Sequence, residues 1–290
     1  MKKIIICLFL SVGLSGCHIY RAYERPDEVV ADSLYRQSVA AEDTVSLASL
    51  SWKELFTDPQ LQQLIDIGIR NNTDLNIARL RVEEAEALLL SSKLAYLPSV
   101  SLTPQGTMSS AGGTKTSKTY NLAASADWEL DIFGKLTNAK RGAKAVLEQS
   151  EAYRQAVQTQ LVATIANSYY TLLMLDKQLD ITHRTAETWD ENLRAMKALK
   201  KAGQTTEMAV AQTEASVLSI EQQISELENS LSALLGMTSQ TVKRSTLDSQ
   251  EFPESLSTGV PLQLLQRRPD IRQKEAELAA AFYATNQARS

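Results

Sequence analysis

Two cysteines and two histidines leave this 290-residue chain almost no material for a metal site or a nucleophilic triad. A structural zinc site takes four ligands, and a nucleophilic triad needs a base beside its nucleophile. Cys7, Cys17, His18 and His183 have no spacing that builds either. His183 falls between the heptad positions described below and has no second ligand near it, so it reads as structural. No phosphate-binding G-x-x-x-x-G-K, no G-x-S-x-G, no C-x-x-C and no H-E-x-x-H occurs. The expectation is a protein that is not an enzyme and holds no cofactor or metal. Net charge is −4, near neutral for this length, which argues against a nucleic-acid binder that lives on phosphate contacts.

Cys17 is the exception, because its setting is chemical. Met1-Lys2-Lys3 is a positive start, Ile4 to Leu10 an apolar run too short to span a bilayer, and Leu14-Ser15-Gly16-Cys17 follows. The order resembles a bacterial lipobox, in which the cysteine is acylated and becomes the first residue after cleavage. Residues 1–16 then form a lipoprotein signal peptide, Cys7 is discarded, and Cys17 anchors the chain. Several acyl chains hold a membrane firmly where one does not. Residues 17–50 lack periodicity and read as a tether.

The remaining residues must position something along that membrane. Residues 51–97 read as amino-terminal helices. Asp58-Pro59 is a helix start, with Leu61, Leu64, Ile65 and Ile69 on one face. Thr73 or Asp74 caps a second helix that stops before Pro98. The period then changes from 3.6 to 2 over residues 98–134. Ser99, Ser101, Thr103, Gln105 and Thr107 alternate with Val100, Leu102, Pro104, Gly106 and Met108. After a loop over Ser109–Lys118, Tyr120, Leu122, Ala124, Ala126, Trp128 and Leu130 form one face. Asn121, Ser125, Asp127 and Glu129 lie on the other. Two such segments of about ten residues fit strands of a transmembrane barrel. They equally fit a soluble hairpin on a core, and on periodicity alone the soluble hairpin is the better reading.

Residues 135–236 read as a long helical hairpin. No proline falls between Pro104 and Pro253, and Gly203 is the only glycine between Gly142 and Gly236. A helix from Leu136 to Ala202 would be roughly 100 Å long. Its heptad positions are Leu172, Leu179, Ala186 and Leu193, with Leu175, Thr182, Trp189 and Met196. Folding about Gly203 brings three of the four members of the first set opposite Ile220, Leu227 and Leu234, as in an antiparallel coiled coil. Gly236 closes the helix. Residues 237–266 form a connector, and Arg267-Arg268-Pro269-Asp270 opens a last helix over 267–290. The fold class is therefore mainly α with a β-hairpin. An alternative reading of the whole is a lipid-anchored periplasmic coiled coil that acts as a spacer or partner-binding module.

The lipobox, W-K-E-L-F-T-D-P-Q-L (52–61), W-E-L-D-I-F-G-K-L (128–136) and V-P-L-Q-L-L-Q-R-R-P-D-I (260–271) resemble, in order and spacing, the outer-membrane efflux lipoproteins of the TolC family. That resemblance implies a homotrimer. Each protomer would give four strands to a twelve-stranded barrel in outer-membrane lipid and helices to a periplasmic α-barrel. It implies passive export of drugs or other small solutes from an inner-membrane pump through a periplasmic adaptor protein. It turns the hairpin reading towards a membrane barrel, with Asn121, Ser125, Asp127 and Glu129 facing the lumen. It makes the Gly203-Gln204-Thr205-Thr206 turn the adaptor contact. The family has two repeats. Asp270 would match Asp74, 196 residues earlier, so this sequence carries one repeat and the first helix of a second. Two strands per chain would leave such a trimer short of a complete duct.

Overall fold

The computed structural model describes residues 22–25, 51–109, 117–198, 204–251 and 267–290. The signal segment, Cys17, most of the tether, Gly203 and the 252–266 part of the connector lie outside the described residues. The chain divides into two compact units.

The first unit comprises residues 30–80 and 153–270. A short helix α1 (Trp52–Leu55) leads into α2 (Pro59–Asn71) and α3 (Thr73–Leu94). Asp58 starts α2 as its composition predicts: Pro59 takes the first helical position and the Asp58 carboxylate accepts the Gln60 N–H at 2.8 Å. The cap of α3 differs from the expected Thr73 or Asp74. Asn72 fills it, its Oδ1 accepting the Leu75 N–H at 3.0 Å. Its amide also donates to the Leu234 carbonyl, so one side chain closes two helix ends.

The long helix α4 (Lys135–Ala198) and α5 (Gln204–Leu234) supply the rest. Leu61, Ile65, Leu75, Ile165, Tyr169, Leu172, Leu173, Leu231 and Leu235 form one buried cluster. Gly68 lets α2 approach closely: a Cβ there would stand 2.5 Å from Ile165 Cδ1. Gly236 ends α5 at φ 66°. Its N–H donates to Ala233 and that of Met237 to Ser232, which satisfies the last carbonyls. The apolar seam expected between α4 and α5 holds at Leu172, Leu175 and Ile220, which are buried, and at Leu227 and Leu234, which pack on the core; a polar groove runs beside it further along the pair. Gln178, Thr182 and Thr185 face Thr213, Ser216, Ile220 and Gln223 across an open groove. Trp189, expected on the heptad seam, is exposed.

The second unit comprises residues 81–152 and 271–290 with 22–25. It holds a two-stranded antiparallel sheet, β1 (Ser99–Ser109) and β2 (Ser117–Asp127), and the helix α6 (Pro269–Arg289). Residues 22–25 lie on α6. Arg25 pairs with Glu275, the Tyr23 N–H donates to Tyr283 Oη at 3.0 Å, and the Tyr23 ring meets Phe282 edge-on.

Candidate functional site

The hairpin is built so that its two faces match across the ladder. Ser99 pairs with Asp127, Ser101 with Ser125, Gln105 with Asn121 and Thr107 with Thr119. Val100 pairs with Ala126, Leu102 with Ala124, Pro104 with Leu122 and Gly106 with Tyr120. Because side chains alternate in a strand, this register gathers the polar residues on one face and most apolar ones on the other. Ser101 and Ser125 share a hydroxyl hydrogen bond of 2.7 Å. Every strand residue is exposed, including Tyr120 at 80% and Val100 at 78%. Pro104 does not interrupt the pairing. A two-stranded ribbon leaves alternate N–H groups without a ladder partner, so a missing donor is tolerated.

Asn121, Ser125 and Asp127 therefore share the polar face. Glu129 does not join them. The strand ends at Asp127, so Trp128, Glu129 and Leu130 fall outside the sheet. Glu129 pairs instead with Lys135 at 2.8 Å. The departure has a local cause. Trp128 Nε1 donates to the Tyr96 carbonyl at 3.1 Å, and the chain then turns so that Asp131 caps α4. Asp131 accepts the N–H groups of Leu136 and Thr137, both at 2.8 Å, and the Thr137 hydroxyl. Burial would raise the Asp131 carboxyl, but these donors hold it below its usual value. The W-E-L-D-I-F-G-K-L segment is thus a strand exit and a helix cap in one.

A second polar centre lies in the other unit. The buried Asp58 carboxylate accepts from Tyr169 Oη at 2.6 Å, Gln250 Nε2 at 2.9 Å and Ser245 Oγ at 3.1 Å, besides the Gln60 N–H. Tyr169 Oη in turn accepts the Ser245 N–H at 3.0 Å. Burial would raise the Asp58 carboxyl, yet its four donors keep it below the usual range. Burial, with the hydrogen bond to Asp58, pushes the Tyr169 phenol up to about 12. Nearby, Arg244 forks onto Asp176, with Nη2 to Oδ1 at 2.8 Å, and also pairs with Glu228. One guanidinium thereby ties the connector to both long helices. Asp58 announced itself as a cap. Tyr169 and Arg244 carried no sequence signal, because their partners lie 111 and 68 residues away.

Gln204, Thr205 and Thr206 begin α5, and their side chains are outside the described ones, as are Gly203 and Cys17. Arg268 forks onto Asp270 at the start of α6 on an exposed surface, the first contact at 3.0 Å. Among the described residues no group of His, Cys, Asp or Glu could hold a metal ion. Among them no helix is long and apolar enough to cross a membrane.

The family model of the outer membrane efflux proteins matches residues 64–235, and this chain belongs to that family. It is 31% identical over 304 residues to the probable efflux pump outer membrane protein TtgC of Pseudomonas putida KT2440, covering 97% of this chain and 62% of that protein. It is 27% identical to the cation efflux system protein CusC of Escherichia coli K12, covering 94% and 62%. The solved open state of the Neisseria gonorrhoeae MtrE outer membrane channel superposes with a TM-score of 0.79 at 26% identity, covering 93% of this chain and 62% of that one. The chain thus spans about three fifths of the length of these relatives.

Proposed function

We propose that this chain is part of the outer-membrane channel subunit of a tripartite efflux pump, a passive export duct for drugs or other small solutes. The observation that carries this is the hairpin register, which sorts polar and apolar side chains onto opposite faces while both faces stay exposed. A lone two-stranded ribbon is marginal in water. Lipid against Val100, Leu102, Leu122 and Tyr120, with water against Asn121, Ser125 and Asp127, accounts for both faces at once.

In this reading three copies assemble, each giving strands to a shared barrel. Cys17 is acylated and fixes the amino terminus to the outer membrane. The Gly203–Thr206 turn meets a periplasmic adaptor, which joins an inner-membrane pump. No residue acts catalytically and no cofactor takes part. An open sheet edge in lipid leaves backbone groups unpaired at several kcal/mol each. Residues 1–290 expressed alone are therefore expected not to conduct; solute passing through trimers of that length would overturn this expectation.

The test is single-cysteine labelling of the gene product in outer-membrane vesicles with a membrane-impermeant maleimide. Asn121→Cys should react and Leu122→Cys should not. Equal reaction at both positions would place the hairpin in water and favour the lipid-anchored spacer.

A further inference from the structure

A short stretch of chain just behind Cys17 is held against α6. Arg25 Nε donates to Glu275 Oε1 at 2.7 Å, and its Nη2 meets the other carboxylate oxygen. Further along α6 the Tyr23 N–H donates to Tyr283 Oη at 3.0 Å, and the Tyr23 ring lies edge-on to Phe282 with centroids 5.8 Å apart. Glu275 and Tyr283 are about 12 Å apart along the helix. A chain that meets Glu275 with Arg25 and Tyr283 with Tyr23 runs antiparallel to α6, so its amino end points to the carboxyl end of that helix. The helix itself rests on α4, where a Cβ at Gly142 would stand 3.5 Å from Tyr283 Cβ. Gly142 lies about 10 Å along α4 from Lys135, at the base of the hairpin.

Covalent geometry then limits where Cys17 can be. Six residues lead from Tyr23 back to Cys17, a span of at most about 20 Å. From Tyr283 the helix continues about 9 Å to Arg289. Cys17 therefore reaches no more than about 11 Å past the end of α6. Counted from Ser51 instead, the extended chain back to Cys17 exceeds about 100 Å. The contacts at Tyr23 and Arg25, rather than the length of the tether, decide the position of Cys17.

We infer that the face of α6 carrying Glu275, Phe282 and Tyr283 is the docking site for the acylated amino terminus of this same chain, and that it holds the lipid on Cys17 beside the carboxyl end of α6. This rests on the reading of Cys17 as the acylated residue. The contacts are individually weak, since the Arg25–Glu275 pair is partly exposed and is screened by salt. They suffice because both partners belong to one chain, which makes docking intramolecular at an effective concentration on the order of millimolar. With the lipid in the leaflet and Tyr23 on α6, the base of the hairpin sits at a set distance from the membrane surface.

The experiment uses the gene product with Ala288→Cys, an exposed position near the end of α6, carrying a donor dye. Cells are fed an alkynyl palmitate, and an acceptor dye is coupled to the acyl chain. The protein is placed in phosphatidylethanolamine and phosphatidylglycerol vesicles with an excess of unlabelled protein, so that transfer reports on single chains. The protein without the added cysteine gives the donor background. Energy transfer to the lipid should be high, and should fall several-fold in Tyr23→Ala, in Arg25→Glu and in Glu275→Arg. Combining Arg25→Glu with Glu275→Arg should restore it, which a general loss of folding cannot do. Transfer that is low from the start, that ignores the single substitutions, or that the exchanged charges do not recover overturns the inference; the acyl label on the protein then still leaves Cys17 as the anchor. A protein that takes up no alkynyl palmitate overturns both.

Discussion

Replacing Tyr169 by phenylalanine deletes one oxygen from the middle of the helical unit and nothing else. The ring is fully buried among Leu61, Ile65, Ile165 and Leu172, so packing is kept. What goes is the hydrogen bond to Asp58 and the acceptor for the Ser245 N–H. A hydrogen bond to a charged group contributes about 1.5–3 kcal/mol net, and the orphaned Ser245 N–H adds to the loss. Three donors still reach Asp58, which limits the penalty on the carboxylate. The expected loss is therefore about 2–3 kcal/mol, read as a lower denaturant midpoint at unchanged slope. The pH dependence gives an independent check. The folded phenol titrates at about 12 against an ordinary 10.0, so its contribution is complete below pH 10 and is lost as pH rises through 12. The difference in stability between Tyr169→Phe and the unsubstituted protein should shrink across that window. A loss under about 0.5 kcal/mol, or a difference that does not change between pH 10 and 12, would refute the assignment of Tyr169 as the partner that holds Asp58.

Asp58→Ala removes the cap of α2 along with the acceptor for three side chains, and should cost about 2–4 kcal/mol in the same assay. Because its folded value is depressed, the Asp58 contribution is present above the ordinary carboxylate value and is lost as pH falls through the lower folded one. Arg244→Met leaves Asp176 and Glu228 facing each other without their cation and should cost about 3 kcal/mol, whereas Lys177→Met, which breaks an exposed pair with Asp248, should cost under about 0.5 kcal/mol. Gly236→Ala forces a left-handed φ on a side chain whose Cβ would lie 3.1 Å from the Asn71 carbonyl oxygen, and thermal unfolding should register about 1–2 kcal/mol of destabilisation. Asp131→Ala should speed hydrogen exchange at the Leu136 and Thr137 amides, with about 1 kcal/mol lost, while leaving the core amides near Ile165 protected.

What the sequence revealed follows from the range of the forces involved. Helix starts and stops are local: Asp58-Pro59 and Gly236 act within a turn, and both carry their expected roles. The start of β1 at Ser99 is local too, since the period changes there and Pro98 precedes it. The far end of β2 was less legible. The alternation runs on to Leu130, but Trp128 and Asp131 are drawn to Tyr96 and to the start of α4, and those partners override a pattern with no partner of its own. Asn72 was passed over because its second bond reaches Leu234, 162 residues on. The seam between α4 and α5 was legible where heptad counting places leucines, as at Leu172, Leu175 and Leu227. The template also places Thr182 there but says nothing of the threonines and serines that line the open groove beside it.

The proposed membrane role of the hairpin also constrains how it would be inserted. Among the described residues β1 and β2 pair only with each other, so each eleven-residue strand keeps one unpaired edge. In water those edges are solvated, and the exposed apolar face is the unfavourable part. In lipid the apolar face is satisfied, but every unpaired N–H and C=O costs several kcal/mol. Neither medium suits the lone ribbon. In the proposed barrel the ribbon becomes stable only when strand edges meet further strands as lipid meets Val100, Leu102 and Leu122, so that reading makes assembly and insertion one coupled step. A membrane-inserted monomer should then never accumulate. In a time course of cross-linking between hairpins and protection of Leu122→Cys from a water-soluble maleimide, the two signals should rise together. Protection that clearly precedes cross-linking would show the ribbon entering lipid with open edges, and the coupling would be wrong.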